Sequence, residues 1–146
     1  MTSPLQFKTA LVGIETCRAV LGRDEDFVMA LIENGGLKFA FNVAAPQAHR
    51  AEVRVLSLSL LDHVNGTSSQ PIRIDDVLRY AIPVAASFSQ VKAKTLCRGW
   101  CISPSHVTKL IAAGCLNLAR ERAFRNETAC ITLESARRFL GERRMV

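Results

Sequence analysis

Two stretches of this chain repeat one pattern of apolar and glycine positions. Five positions match at a constant separation of 79 residues: Val28 with Val107, Leu31 with Leu110, Ile32 with Ile111, Gly35 with Gly114 and Leu37 with Leu116. Four later positions match at a separation of 75: Leu56 with Ile131, Ser57 with Thr132, Leu58 with Leu133 and Gly66 with Gly141. Self-similarity of this kind is the signature of repeated structural units. We therefore expect one small module to occur twice, with the difference in length placed in a loop.

Both copies predict the order helix, turn, helix. Apolar residues at helical spacing indicate the first helix; they are Ile14, Cys17, Val20 and Leu21 in one copy and Val91, Leu96 and Trp100 in the other. The second helix follows a residue suited to be an N-cap, Asp24 or Ser103, and Pro104 suits a first helical position. Gly35 and Gly114 are the expected left-handed stops at its C-terminus.

A hairpin and a third helix complete each copy. In the first copy, alternating apolar residues run from Leu37 to Val43, and the chain returns through Val53 and Val55 after a turn. In the second copy, residues 116–122 lead outward and Cys130 and Ile131 return. Ser57 and Thr132 then resemble N-caps of the third helix.

These elements predict an α+β fold, mainly helical, built as two tandem modules that each carry a small two-stranded hairpin. We place the first copy at residues 9–66 and the second copy at residues 89–146. Residues 67–88 are expected to be a linker with a short strand or helix that ends before Pro83. Apolar residues make up 49% of the chain, which is enough for a packed core.

The charge of the chain is unevenly distributed. Residues 1–75 carry seven basic and eight acidic side chains, whereas residues 76–146 carry twelve basic and five acidic ones. A basic half joined to a nearly neutral half is typical of a module that faces a polyanion and is fused to something else. Charge alone is equally compatible with a role in solubility.

The second copy resembles a known class of DNA-binding domain. Its positions Ile102, Ser103, Ser105, Val107, Lys109, Leu110, Ile111, Gly114 and Leu116 follow the pattern of excisionase-type and MerR-like winged helix-turn-helix domains. The segment from Ile131 to Leu140 resembles their closing helix. The likeness covers residues 89–141 well and residues 11–66 more loosely. It implies that the helix after the turn enters the major groove and that the hairpin, the wing, touches the adjacent backbone.

The resemblance also implies a set of DNA-binding residues. Five of them would lie at the recognition helix and three on the wing; they are Ser103, Ser105, His106, Thr108 and Lys109, followed by Arg120, Arg122 and Arg125. Hydroxyl groups and a helix N-terminus bind phosphate oxygens, and lysine and arginine neutralise phosphates or reach guanine edges. Cys101 stands where this family usually has glycine, which leaves the geometry of the turn open.

The first copy is a poor candidate for DNA binding. Its residues at the positions of the recognition helix are Asp24, Glu25, Asp26, Phe27, Met29, Ala30 and Glu33. Carboxylates facing a duplex would be repelled by its phosphates. We therefore expect the first copy to serve self-association or to bind a protein partner.

Other classes of function find little support. The chain has no glycine-rich phosphate loop, no HExxH motif and no nucleophile elbow, so we expect neither an enzyme nor a cofactor. Its five cysteines suggest reduced thiols, and the spacing of Cys97 and Cys101 is not a usual zinc signature. Because no apolar stretch is long enough to cross a bilayer and Lys8 and Glu15 interrupt any signal-peptide layout, we expect a cytoplasmic protein without membrane contact.

The sequence thus predicts a sequence-specific double-stranded DNA-binding protein, used as a transcriptional regulator. A recombination directionality factor, or another accessory factor of a mobile element, is an alternative with the same chemistry. A protein-interaction adaptor is an alternative from another class, because winged helix folds also act as docking scaffolds.

Overall fold

A computed structural model describes residues 9–66, 74–82, 89–119 and 129–145 of the chain, and shows an α+β fold in which helices predominate. The elements of the first copy are β1 (Leu11–Gly13), α1 (Ile14–Leu21), α2 (Glu25–Glu33), β2 (Ala40–Asn42), β3 (Val53–Leu56) and α3 (Ser57–Asn65). Helix α4 (Ile74–Ala81) follows. The second copy contributes β4 (Gln90–Lys92), α5 (Ala93–Trp100), α6 (Pro104–Ala112), β5 (Cys130–Thr132) and α7 (Leu133–Glu142).

The repeat in the sequence is also a repeat of elements. Strand β1 and helices α1 and α2 have the same bounds as β4, α5 and α6 when 79 is added to each residue number. The predicted caps of the second helices are confirmed, because the Asp24 side chain accepts a hydrogen bond from the amide of Phe27 at 2.9 Å and Ser103 accepts one from His106 at 3.2 Å. Gly35 and Gly114 both have a positive φ, as their place at a helix end requires.

The third helices correspond at a separation of 76, one residue more than the sequence alignment suggests. The Ser57 amide donates to the Ala10 carbonyl, and at the equivalent place the Leu133 amide donates to the Ser89 carbonyl. Thr132 is therefore an N-cap, as predicted, and accepts from the amide of Ser135. The prediction was wrong for Ser57, which is the first residue of α3 and is not its cap. The pairing of the hairpin strands sets this register, and the sequence comparison lacked that information.

Each copy contains one short strand that the sequence did not predict. Strand β1 pairs with β3, which also pairs with the hairpin strand β2, so the first copy has an antiparallel sheet in the order β1-β3-β2. Strand β4 pairs with β5 in the same way, and Val91 therefore lies in a strand and not in the first helix. An isolated bridge between Leu118 and Ile131 stands where Ala40 pairs with Val55 in the first copy. Three-residue strands are too short to show a period in the sequence.

The sheet of the first copy is buried on both faces. Residues of one parity, such as Val12 and Val55, pack on α1 and α2 around Val28 and Ile32. Residues of the other parity join the core of the second copy; they are Leu11, Phe41, Val43 and Leu56. Because successive side chains of a strand point to opposite faces, one sheet connects the two copies through a continuous apolar interior.

Helix α4 lies in the same interior. Its Val77 and Ala81 are buried, together with Ile82. The indole nitrogen of Trp100 donates to the carbonyl of Ala81 at 3.1 Å, and the hydroxyl of Tyr80 lies 3.1 Å from that of Ser57. A helix within the predicted linker, residues 67–88, is thus present at Ile74–Ala81, while residues 67–73 and 83–88 fall outside the described residues.

The segment after α7 runs along the outer edge of β2. The Asn42 amide donates to the Arg143 carbonyl at 2.9 Å, and the Met145 amide donates to the Ala40 carbonyl at 2.8 Å. The Arg144 guanidinium stacks 4.5 Å from the ring of Phe39. Arg143 and Arg144 thus attach the second copy to the first.

Burial raises the pKa of the Cys17 thiol to about 11, since the thiolate would lose its hydration in the interior.

Among the described helices, none combines the length and the apolarity needed to cross a bilayer.

Candidate nucleic-acid interface

Helix α6 presents a polar stripe to solvent. Val107 and Leu110 are buried and anchor the helix in the core. Ser105, Thr108, Lys109 and Ala112 are exposed and are spaced at i, i+3, i+4 and i+7, so they lie along one side. We call these four residues the α6 stripe. Because its inner side is held by apolar packing, the helix offers this outer side without a rearrangement of the fold.

The N-terminus of α6 adds hydrogen-bonding groups beside the stripe. Ser103, the N-cap, is exposed, and its hydroxyl lies 3.1 Å from that of Ser105. The hydroxyl of Thr108 donates to the carbonyl of Pro104 at 3.1 Å, which leaves its oxygen free to accept. Together with the ammonium of Lys109, these groups form a small cationic and hydroxyl-bearing surface at a helix N-terminus. Such a surface suits phosphate oxygens and the edges of bases.

His106 differs from its neighbours on α6. Its side chain is half-buried, and its Nε2 lies 2.6 Å from the carbonyl oxygen of Val43 in the first copy. The other four residues named on this helix from the sequence are exposed. The structure therefore brings Ser103, Ser105, Thr108 and Lys109 together on the surface, and it turns His106 toward the first copy.

The three arginines of the predicted wing, Arg120, Arg122 and Arg125, lie outside the described residues. The positions that flank them are described. The Ala119 amide donates to the Cys130 carbonyl at 2.8 Å. The chain therefore leaves and re-enters the second copy at neighbouring points.

The described surface of the second copy is strongly basic. Between residues 89 and 145, the described part of the chain has eight lysines and arginines but only two carboxylates, Glu134 and Glu142. Lys92, Lys94, Arg98 and Arg138 are exposed in addition to Lys109. A polyanion that approached α6 would therefore meet few repulsive groups among the described residues.

The equivalent helix of the first copy has the opposite character. The positions that correspond to the α6 stripe are Asp26, Met29, Ala30 and Glu33 on α2. Asp24 and Glu25 at its start are also exposed. The ring of Phe27 is 36% exposed and carries the Arg23 guanidinium 4.7 Å from its centre. This helix repels phosphates and offers apolar and acidic groups instead.

The turn before α6 settles a point that the sequence left open at Cys101, and its contacts include one residue, Arg54, that escaped the sequence analysis. Cys101 has φ 55° and ψ 48°, close to the φ 65° and ψ 33° of the equivalent Gly22, so it adopts the same left-handed geometry as that glycine. Arg54 of β3 donates from Nε to the Trp100 carbonyl at 3.1 Å and from a terminal nitrogen to the Cys101 carbonyl at 2.9 Å. No local signal could reveal Arg54, because its partners are more than forty residues away in the chain.

The described residues contain no group of three or more His, Cys, Asp and Glu side chains placed to hold a metal ion. An open depression near α7 is lined by Ser89, Gln90, Ala119, Thr132, Leu133, Glu134 and Arg137. Its shallow, mixed lining does not resemble the enclosed apolar pockets that bind small molecules.

Comparison with protein-family models, with curated proteins and with solved structures finds no match to this chain.

Proposed function

We propose that this protein binds double-stranded DNA through α6 of its second copy and reads a short sequence there. The observation that carries the proposal is the α6 stripe: hydroxyl groups and a lysine on an exposed helix face, in a basic copy, on a helix held in place by buried Val107 and Leu110. Helix α2, the equivalent of α6 in the first copy, supports the proposal by contrast, because the positions that correspond to Ser105 and Ala112 there carry Asp26 and Glu33.

Each group has a chemical role in this proposal. Ser103 and Ser105 bind phosphate oxygens at the helix N-terminus, where backbone N–H groups also point outward. Thr108 and Lys109 lie farther along the helix and reach base edges or a further phosphate. Arg120, Arg122 and Arg125 act as phosphate contacts beside the groove, as the family resemblance implies. His106 is not among the contacts, because its ring is bonded to Val43.

The biological use that fits best is regulation of transcription. A recombination directionality factor would use the same contacts and is separated from a regulator by its target site. A single small module has limited contact area, so stable binding to DNA calls for neighbouring sites or for self-association. The acidic helix α2, with its exposed Phe27, is the surface proposed for that association or for another protein partner.

The test is selection of duplexes from a random pool with the full chain, followed by titration at several salt concentrations. We expect enrichment of one motif and an affinity that falls steeply as salt rises. Lys109→Ala should flatten the slope of log K against log salt by about one unit if Lys109 meets a phosphate. Lys38→Ala, which removes an exposed lysine of the first copy, should leave that slope unchanged.

A second candidate, the protein-interaction adaptor, is favoured by one observation. Phe27 is exposed beside three carboxylates at the start of α2, which is a surface for a basic or apolar protein partner. A chain that enriches no duplex even at low salt, and that loses a protein complex on Phe27→Ala, would establish the adaptor and contradict DNA binding.

A further inference from the structure

The turn between α5 and α6 is held by the first copy at three points. Arg54 bonds the carbonyls of Trp100 and Cys101. The Cys101 thiol donates to the Leu11 carbonyl at 3.2 Å, and the His106 ring bonds the Val43 carbonyl. All three points lie within the seven residues from Trp100 to His106, which lead into α6 or form its first turn. The first copy therefore contacts the second where the direction of α6 is set.

The chemistry of the turn explains why it needs this support. The last carbonyls of a helix have no partner within the helix. Those of Trp100 and Cys101 receive the Arg54 guanidinium, whose charge also matches the negative end of the helix dipole. Cys101 is a non-glycine residue in left-handed geometry, which is unfavourable because its Cβ crowds the following carbonyl oxygen. A turn that is unfavourable by itself is thus stabilised by bonds from another part of the chain.

The environment of Arg54 shows that these bonds are well formed. Its side chain is only 15% exposed, and its guanidinium also meets the Glu52 carboxylate at 3.2 Å and the Val53 carbonyl at 3.1 Å. A guanidinium has five N–H donors in a rigid plane, so it can bind several oxygens at fixed angles. Within the first copy, the equivalent turn adopts the same geometry with Gly22.

We propose that Arg54 is a positioning residue for the DNA-reading helix, and that the first copy serves as a built-in support which fixes the orientation of α6. This inference rests on the proposed function of α6. Arg54 touches no DNA in this scheme. It acts through the Trp100–Cys101 turn, so its removal allows α6 to tilt. The α6 stripe then discriminates less well between the correct bases and other bases.

The test compares Arg54→Met with Arg50→Met, which removes an exposed arginine of the same copy. For each protein, the dissociation constants of the selected duplex and of a scrambled duplex are measured at several salt concentrations. The specificity ratio is the dissociation constant of the scrambled duplex divided by that of the selected duplex. Arg54→Met should lower this ratio by about tenfold, the order of one well-formed base contact. The slope with salt should stay unchanged, because no phosphate contact is lost. Arg50→Met should keep the ratio.

A second measurement does not depend on DNA. Hydrogen exchange of the amides from Ile102 to Val107 should be faster in Arg54→Met than in the parent protein, at equal overall stability by urea unfolding. Arg54→Lys, which keeps the charge but reaches a single carbonyl, should be intermediate in both measurements and provides a folded variant if the methionine variant unfolds.

The two proposals fail in different ways. An unchanged specificity ratio together with unchanged exchange in a folded Arg54 variant would overturn the positioning role, even with motif binding by the parent protein intact. If the parent protein selects no duplex, the proposed function fails. Faster exchange would then still establish that Arg54 holds the turn, and unchanged exchange would overturn that as well.

Discussion

At the scale of single residues, the two copies have different amino acids at the same left-handed position of the turn after the first helix. The turn after the first helix needs a left-handed residue, and the first copy supplies Gly22 whereas the second supplies Cys101. A glycine adopts this geometry without steric cost, and a cysteine does not. At Cys101 this cost is offset by hydrogen bonds that Arg54 of the first copy donates to the turn. A residue that looks like a departure from a pattern is thus accommodated by a partner distant in the sequence.

Two alanine substitutions at glycine should have opposite effects. A side chain at Gly22 would meet no atom within 4 Å, so Gly22→Ala should cost about 1 kcal/mol from the left-handed backbone alone. Gly141 lies in α7, and a Cβ there also meets no atom within 4 Å, so Gly141→Ala should stabilise by about 0.5–1 kcal/mol. Urea unfolding of both variants measures these changes. Equal effects of the same sign would contradict the assigned backbone geometry.

At the scale of elements, short strands gain their stability from neighbours that are remote in sequence. Strand β2 has three residues and would leave one edge unpaired in the sheet β1-β3-β2. Unpaired edges expose N–H and C=O groups that invite association with other chains. Here the segment Arg143–Met145 covers that edge, with Arg144 stacked on Phe39. The segment that follows the last helix of the second copy therefore covers the edge strand of the first copy.

Removal of this cover should destabilise the whole chain. A protein that ends at Glu142 loses two backbone hydrogen bonds to β2 and the contact of Arg144 with Phe39, for which we expect a loss of about 2 kcal/mol. Arg138→Ala, at an exposed arginine of α7, should change the stability by less than about 0.5 kcal/mol. Urea unfolding monitored by circular dichroism is the measurement. An unaffected truncated chain would show that the edge pairing contributes nothing to stability.

At the scale of the whole molecule, the two copies behave as one structure. The sheet of the first copy is packed on α1 and α2 on one side and on the second copy on the other, and α4 contributes to the core shared with the second copy. The orientation of α6 is then a property of the entire chain, which links its stability to its proposed function.

A single cooperative unit makes a prediction about the only tryptophan, Trp100, which lies in the second copy. Ile32→Val in the core around α1 and α2, and Ile131→Val in the core of the second copy, each remove one buried methylene and should cost about 1 kcal/mol. In one unit, both variants lower the denaturant midpoint of Trp100 fluorescence by similar amounts. If the copies unfold separately, Ile32→Val leaves that midpoint where it was.

The local features of this protein were predictable from the order of its amino acids. The repeat, the second helix of each copy, the caps Asp24 and Ser103 and the stops Gly35 and Gly114 follow from spacing and backbone preference, which act over a few residues. The polar face of α6 was equally visible, because helical periodicity separates Val107 and Leu110 from Ser105 and Lys109.

The way in which the two copies are joined depends on contacts between segments that are distant in the sequence. Strands β1 and β4 exist because β3 and β5 pair with them, and the register of the third helices follows from that pairing. Three sets of bonds join segments that lie 46 residues or more apart, so no local pattern predicts them. They are the bonds of Arg54 to the end of α5, of His106 to Val43 and of the Arg143–Met145 segment to β2. Contacts of this kind depend on where the chain brings its surfaces together, and that is set by the packing of the whole core.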